Sequence, residues 1–216
     1  MSEAARPTQL LLARHPEVEA NVGHVYIGRT ESPYTAKGEH QRSALAAAIR
    51  GWRPDVVRSS PIGRARIVAE ELAAQGVPLV VDEDLTEIDF GHAEGLTYEE
   101  AHRHGIPMDF LGGPADARPF GGGETWGEFG VRLDRAAREI LAGPERVAIV
   151  THGGVFRGLI VTFLDLEPSR AWRFSIPPGS IATLTLHEGV GTLRTFGLVP
   201  GETPWELGTE VREDSA

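Results

Sequence analysis

Two histidines stand directly behind short apolar runs. His15 follows residues 8–13 (TQLLLA) with Arg14 just before it, and His152 follows residues 146–150 (RVAIV) within Thr151-His152-Gly153-Gly154. An imidazole changes charge near neutral pH, so it can serve as base, nucleophile or hydrogen-bond donor there. A guanidinium beside it offers a planar fork of donors that matches the geometry of a phosphate. Arg64 adds a second such cation, from a helical stretch that also holds Arg66, and Glu87 adds a carboxylate after Asp82, Glu83 and Asp84. Each residue alone has a plainer reading as a packed histidine, a solvated arginine or an exposed acid. The ordered combination is what points to chemistry.

The surrounding pattern says how such residues would be positioned. Residues 8–13, 55–58, 78–81 and 146–150 read as short buried strands. Residues 35–50 read as a helix capped by Thr35, and residues 63–75 as an Ala-rich helix ended by Gly76. Residues 123–141 form a third helix, with Thr125 and Glu128 spaced as a capping box, and residues 155–164 a largely apolar fourth. Residues 180–186 and 192–198 flank a turn and predict a hairpin at a sheet edge. Strands alternating with helices imply an α/β fold: three layers, α/β/α, with a mostly parallel central sheet and an antiparallel edge hairpin. Ligands bind such sheets beyond the carboxyl ends of the strands, where His15 and His152 fall.

Composition narrows the partners. A formal net charge of −10 argues against nucleic acid or an anionic membrane as the main partner, since both call for a basic face. It leaves room for a small anion held by a local knot of arginines. There are no cysteines, which excludes disulfides and thiol chemistry and fits a reducing compartment. Residues 1–7 lack a signal-peptide pattern, and no run approaches the ~20 apolar residues that span a bilayer, so the expected location is cytoplasmic. Residues 1–199 read as one domain and residues 200–216 as an acidic tail with partial disorder expected. A homodimer is allowed by this reading.

Five segments in order, ARHPEVEAN at 13–21, SSPIGRA at 59–65, LTEIDFG at 85–91, GGGET at 121–125 and THGG at 151–154, resemble the histidine phosphatase superfamily in its phosphoglycerate-mutase-like branch. The likeness runs from Leu10 to about Leu198. Overall size and the stretch YIGRTESPYTAKGE look like the small α-ribazole phosphatase type, although a fold-level likeness fixes no substrate.

The resemblance implies a metal-independent phosphatase without cofactor, acting on a small phosphorylated metabolite. His15 would attack phosphorus and carry it as phosphohistidine; Arg14 and Arg64 would grip the phosphate and hold His15 neutral; His152 would donate to the same oxygens. Glu87 would protonate the leaving oxygen and then activate water. Asn21 would be a phosphate ligand or a brace, with Tyr26, Gly28, Arg29 and Gly153 facing the substrate. Two alternatives share this resemblance. One is a bisphosphoglycerate-dependent phosphoglycerate mutase, disfavoured by the short segment between Glu87 and His152. The other is a non-catalytic phosphate-binding regulator, disfavoured because every catalytic position is filled.

The chain departs from the family pattern at Pro16, where glycine is usual, at Val68 for threonine and at Ala93 for tryptophan. Proline removes an N–H but keeps its carbonyl. His92, His102 and His104 lack ordered acidic partners and read as surface or lid residues rather than metal ligands. Glu124 and Thr125 read equally as pocket residues or as helix caps. Phe110 and Trp126 read as core, or as the apolar wall of a lid over residues 105–123.

Overall fold

The computed structural model describes residues 6–110 and 113–202. In chain order it runs β1 (Thr8–Arg14), α1 (Glu19–Val22), α2 (Ala36–Trp52), β2 (Val56–Ser59), α3 (Gly63–Ala73), β3 (Leu79–Val81), α4 (Tyr98–Arg103), α5 (Trp126–Leu141), β4 (Arg146–Thr151), α6 (Gly153–Phe163), β5 (Ile181–His187) and β6 (Val190–Leu198). The strands form one sheet in the order β3-β2-β4-β1-β5-β6. The first four in that order are parallel; β5 and β6 pair antiparallel, as the sequence pattern predicts. Most of the acidic tail, residues 203–216, lies outside the described residues.

Successive side chains of a strand point to opposite faces, so a central strand that is apolar throughout feeds two cores. Leu10, Leu12, Val147 and Ile149 face one core, closed by Leu133 and Ile140 of α5 and Phe156 and Leu159 of α6. Leu11, Ala13, Ala148 and Val150 face the other, closed by Leu45 and Ile49 of α2 and Val68 and Leu72 of α3. Val68 is thus core, fully buried where the family usually carries threonine.

Helix ends follow local chemistry. Thr35 caps α2 by accepting the Gly38 N–H at 2.9 Å. Thr125 and Glu128 satisfy each other's backbone N–H reciprocally at the start of α5. That helix begins three residues later than the sequence suggests, because Gly123 adopts φ +69°, a left-handed conformation no helix residue holds. Between β5 and β6, Glu188 and Gly189 have φ of +50° and +81°, the two-residue turn whose twist matches its strands.

Two features bear on the site. Arg14 pairs with Thr151 across β1 and β4, so His15 and His152 leave the sheet side by side, and the His15 N–H donates to the Thr151 carbonyl at 2.9 Å. The segment after His15 is pressed against the first turn of α2, where a Cβ on Gly38 would stand 1.9 Å from the Glu17 carbonyl oxygen. Gly38→Ala should therefore destabilise the protein by about 1–3 kcal/mol, read as a lower midpoint in chemical denaturation. An unchanged midpoint would mean that this segment moves aside freely.

Candidate active site

His15 is 3% exposed, and its Nδ1–H donates to the Pro16 carbonyl at 2.7 Å. A carbonyl only accepts, so the ring proton sits on Nδ1 and Nε2 keeps its lone pair. Proline at position 16 therefore keeps the group that orients the ring. Burial first, then Arg64 and Arg14, hold the imidazole well below its ordinary pKa, against the opposing effect of the Pro16 bond. The arginines act in the expected direction, but burial is the larger cause. The ring of His152 stands 5.2 Å away, centroid to centroid, tilted by 57°. It too is held neutral, chiefly by burial, then by Arg64 and the histidine beside it.

Three guanidiniums surround these rings, and backbone carbonyls anchor each of them. Arg64 donates to the carbonyls of Thr30 at 2.8 Å, Ile27 at 3.1 Å and Gly28 at 2.8 Å. Arg14 donates to the Ile176 carbonyl at 2.5 Å. Arg157, which the sequence reading did not single out, donates to the carbonyls of Phe174 and Gly153, each at 2.9 Å. Burial and the neighbouring Arg157 lower the Arg14 pKa to about 10. Among the described residues six buried side-chain polar atoms lack a partner, and three belong here: Arg14 Nε, Arg64 Nε and His152 Nδ1. A buried donor without an acceptor costs about 1–3 kcal/mol. Each of the three atoms belongs to a residue that acts on His15 by charge or by ring contact, so the unmet polar groups of the site gather at that ring.

Glu87, also buried, supplies the carboxylate. Its oxygens accept the N–H groups of Ile88 at 2.9 Å and of Gly154 at 3.0 Å. Its loop is fixed from three sides. Thr151 Oγ1 donates to the Leu85 carbonyl at 2.8 Å, Arg132 to the Asp84 carbonyl at 2.7 Å, and the Asp89 N–H to Glu124 at 2.9 Å. Arg132 and Glu124 are joined through two hydrogen bonds of 2.8 and 2.7 Å. Glu124 thus braces the acid loop and Thr125 caps α5, while neither lines the cavity. Gly154 has no room for a side chain, since a Cβ would stand 2.6 Å from Glu87 Oε1 and 2.5 Å from Ile88 Cδ1.

A cavity of about 470 Å³ opens onto Arg14, His15, Glu87, Gly153, Gly154 and Arg157. Asn21 and Tyr26 also line it; Asn21 Oδ1 accepts the Val18 N–H at 3.1 Å, which leaves its side-chain N–H groups for other partners. Arg64 and His152 are not on its wall. Gly28 and Arg29, expected to face substrate, are not brought to the cavity either. Gly28 packs against the Ile88 carbonyl, its N–H is held by Glu94 at 2.8 Å, and its own carbonyl takes Arg64. Arg29 is exposed, 3.9 Å from the Asp89 carboxylate. Phe90, Phe110 and Trp172 form the cavity's aromatic side, with Phe110 against Tyr26 and Trp172 at 5.7 and 4.8 Å. Trp126 packs instead on Phe120 and Phe129. His92 lies against Gly121 and Gly122, and among the described residues no three His, Asp or Glu side chains gather as a metal-binding group. The sequence held one signal for Arg157: it follows Gly153 by four residues, so the two share a helix face.

The family model described as histidine phosphatase superfamily (branch 1) matches residues 10–198. The chain belongs to that superfamily, and it is an enzyme of this phosphatase class. It is similar to the adenosylcobalamin/alpha-ribazole phosphatase of Salmonella typhimurium, 30% identical over 196 residues that span 87% of this chain and 95% of the relative. It is also similar to the "Probable phosphoglycerate mutase GpmB" of Enterobacter sp., 32% identical over 83% of this chain and 86% of the relative. In fold it resembles the crystal structure of the alpha-ribazole phosphatase from Shigella flexneri, with a TM-score of 0.78 at 24% identity over 89% of this chain and 98% of that one.

Neutral, buried rings carry a consequence for stability. Below the ordinary histidine pKa of 6.5 the unfolded chain takes up protons at positions 15 and 152 that the folded one does not. Stability then falls as the pH drops, by up to about 1.4 kcal/mol per pH unit for each ring. Denaturant melts between pH 7 and 5 should show this loss, and His15→Asn and His152→Asn should each flatten it. A slope indifferent to both substitutions would show that the folded rings accept protons.

Proposed function

We propose that the protein hydrolyses small phosphomonoesters without a metal, by way of a phosphohistidine on His15. The observation that carries this reading is the bare Nε2 of His15, fixed by the Nδ1–H bond to Pro16, on the wall of a cavity gripped by carbonyl-anchored arginines. Nε2 attacks phosphorus in line; the P–N bond forms as the P–O bond to the alcohol breaks, and Glu87 gives its proton to the departing oxygen. The resulting carboxylate takes a proton from water, whose oxygen attacks the same phosphorus. The P–N bond breaks, its electron pair returns to Nε2, and phosphate leaves. Arg14 stabilises charge on the transferring group from the cavity wall, and Arg64 and His152, set behind that wall beside His15, do so once the group is seated on Nε2; this is most of what phosphoryl transfer requires.

The substrate's alcohol portion faces Tyr26, Phe90, Phe110 and Trp172, and a cavity of about 470 Å³ holds a good deal more than a phosphoryl group. This favours an alcohol with a flat or apolar body over a short acyclic one. The names of the relatives support phosphate-ester chemistry; alpha-ribazole phosphate and phosphoglycerate are both reasonable members of a first substrate panel.

Rapid quench during turnover should trap an acid-labile, base-stable phosphoprotein, and His15→Ala should abolish it. Glu87→Gln should slow alkyl phosphates by about 10²–10⁴-fold and activated aryl phosphates far less, because a good leaving group needs no proton. Undiminished turnover by His15→Ala would refute the mechanism.

A further inference from the structure

Ser60 belongs to none of the roles above, yet its hydroxyl touches the catalytic pair. It follows β2, is fully buried, and its Oγ lies 2.7 Å from His152 Nε2 and 3.2 Å from the Ile62 N–H. Its own N–H is occupied by the Val150 carbonyl at 3.1 Å, which ties this residue to the strand that carries His152.

The protons can be counted. The Ile62 N–H is a donor, so Ser60 Oγ accepts there. The His152 ring is neutral, so only one of its nitrogens carries hydrogen. If that were Nε2, Ser60 would accept twice and its own hydroxyl hydrogen would be buried without an acceptor. Nδ1 would then hold a buried lone pair with no donor to meet it. If Nδ1 carries the hydrogen, Ser60 donates to Nε2 and every polar atom in this group is satisfied except one, Nδ1–H. That atom is the buried one without a partner, alongside the Nε atoms of Arg14 and Arg64.

We propose that Ser60 is a positioning residue: it donates to Nε2 of His152 and so holds the ring in the tautomer that offers Nδ1–H to a phosphoryl oxygen. The inference rests on the phosphoryl-transfer reading for its purpose, while the tautomer itself can be measured without turnover. Ser60 acts through His152, in the way a hydrogen bond to one ring nitrogen fixes the function of the other.

The test is 15N NMR of the histidine side chains in the full chain, with His152 assigned by its loss in His152→Asn. The wild type should show a protonated Nδ1 and an unprotonated Nε2 at position 152. Ser60→Ala should shift His152 toward the other tautomer and lower kcat by about 10²-fold, with a small change in KM; Ser60→Thr, which keeps the hydroxyl, should restore both. A wild-type ring protonated on Nε2 would overturn the proposal. So would a Ser60→Ala protein that loses stability and activity while the His152 nitrogen shifts stay in place, since that is what a purely structural serine would do. Failure to trap a phosphoenzyme on His15 would instead count against the function reading and leave the nitrogen shifts to decide the role of Ser60.

Discussion

The site depends on cations that are held by dipoles instead of by opposite charges. Arg14, Arg64 and Arg157 are anchored by carbonyls of residues 27, 28, 30, 153, 174 and 176. A carbonyl satisfies a guanidinium N–H but leaves its positive charge uncancelled, and burying such a charge is costly. Glu87 is the carboxylate whose field reaches all three. The pocket thus stays positive inside a chain of formal charge −10. A phosphate dianion entering it meets donors already aimed, with Glu87 and the exposed Glu99 as the carboxylates on the wall.

Three other buried or half-buried arginines show the contrast. Arg58 is paired with Asp82 and Glu139, Arg132 with Glu124, and Arg42 with Glu71. Each of those charges is spent within the fold, on bracing one element against another. Arg132 and Glu124 fix the loop on which Glu87 rides. Carbonyl anchoring beside the two histidines, at the carboxyl ends of β1 and β4, separates Arg14, Arg64 and Arg157 from those that hold the structure; Arg146, also held by the carbonyls of Trp52 and Arg53, lies at the other end of β4 and serves the fold.

This distinction marks the limit of what the sequence could tell. The alternation and apolar runs of β1 and β4 were legible, since a strand buried on both faces has to be apolar throughout, and their carboxyl ends located His15 and His152. Arg64 and Glu87 were found through motif likeness and not through periodicity. The place of Arg29 was not legible, because nothing in a linear chain says that Gly28 would turn its carbonyl to Arg64 and leave Arg29 in solvent. Arg157 was missed for a similar reason. Its spacing from Gly153 is the one mark it carries, since α6 is otherwise so apolar that periodicity singles out no face.

Pro16 shows how a departure from a family pattern is judged by atoms. Glycine and proline differ in conformational freedom and in the N–H, and the site uses neither at this position. It uses the carbonyl, which both residues possess, to place the proton on His15 Nδ1. The Gly179 N–H in turn holds the His15 carbonyl at 2.9 Å, so the backbone on either side of the ring is fixed without the missing donor. Gly154 is the opposite case: there the absence of a side chain is itself the requirement, because Glu87 and Ile88 occupy the space a Cβ would need. Tolerance at residue 16 and intolerance at residue 154 both follow from which atoms approach His15 and Glu87.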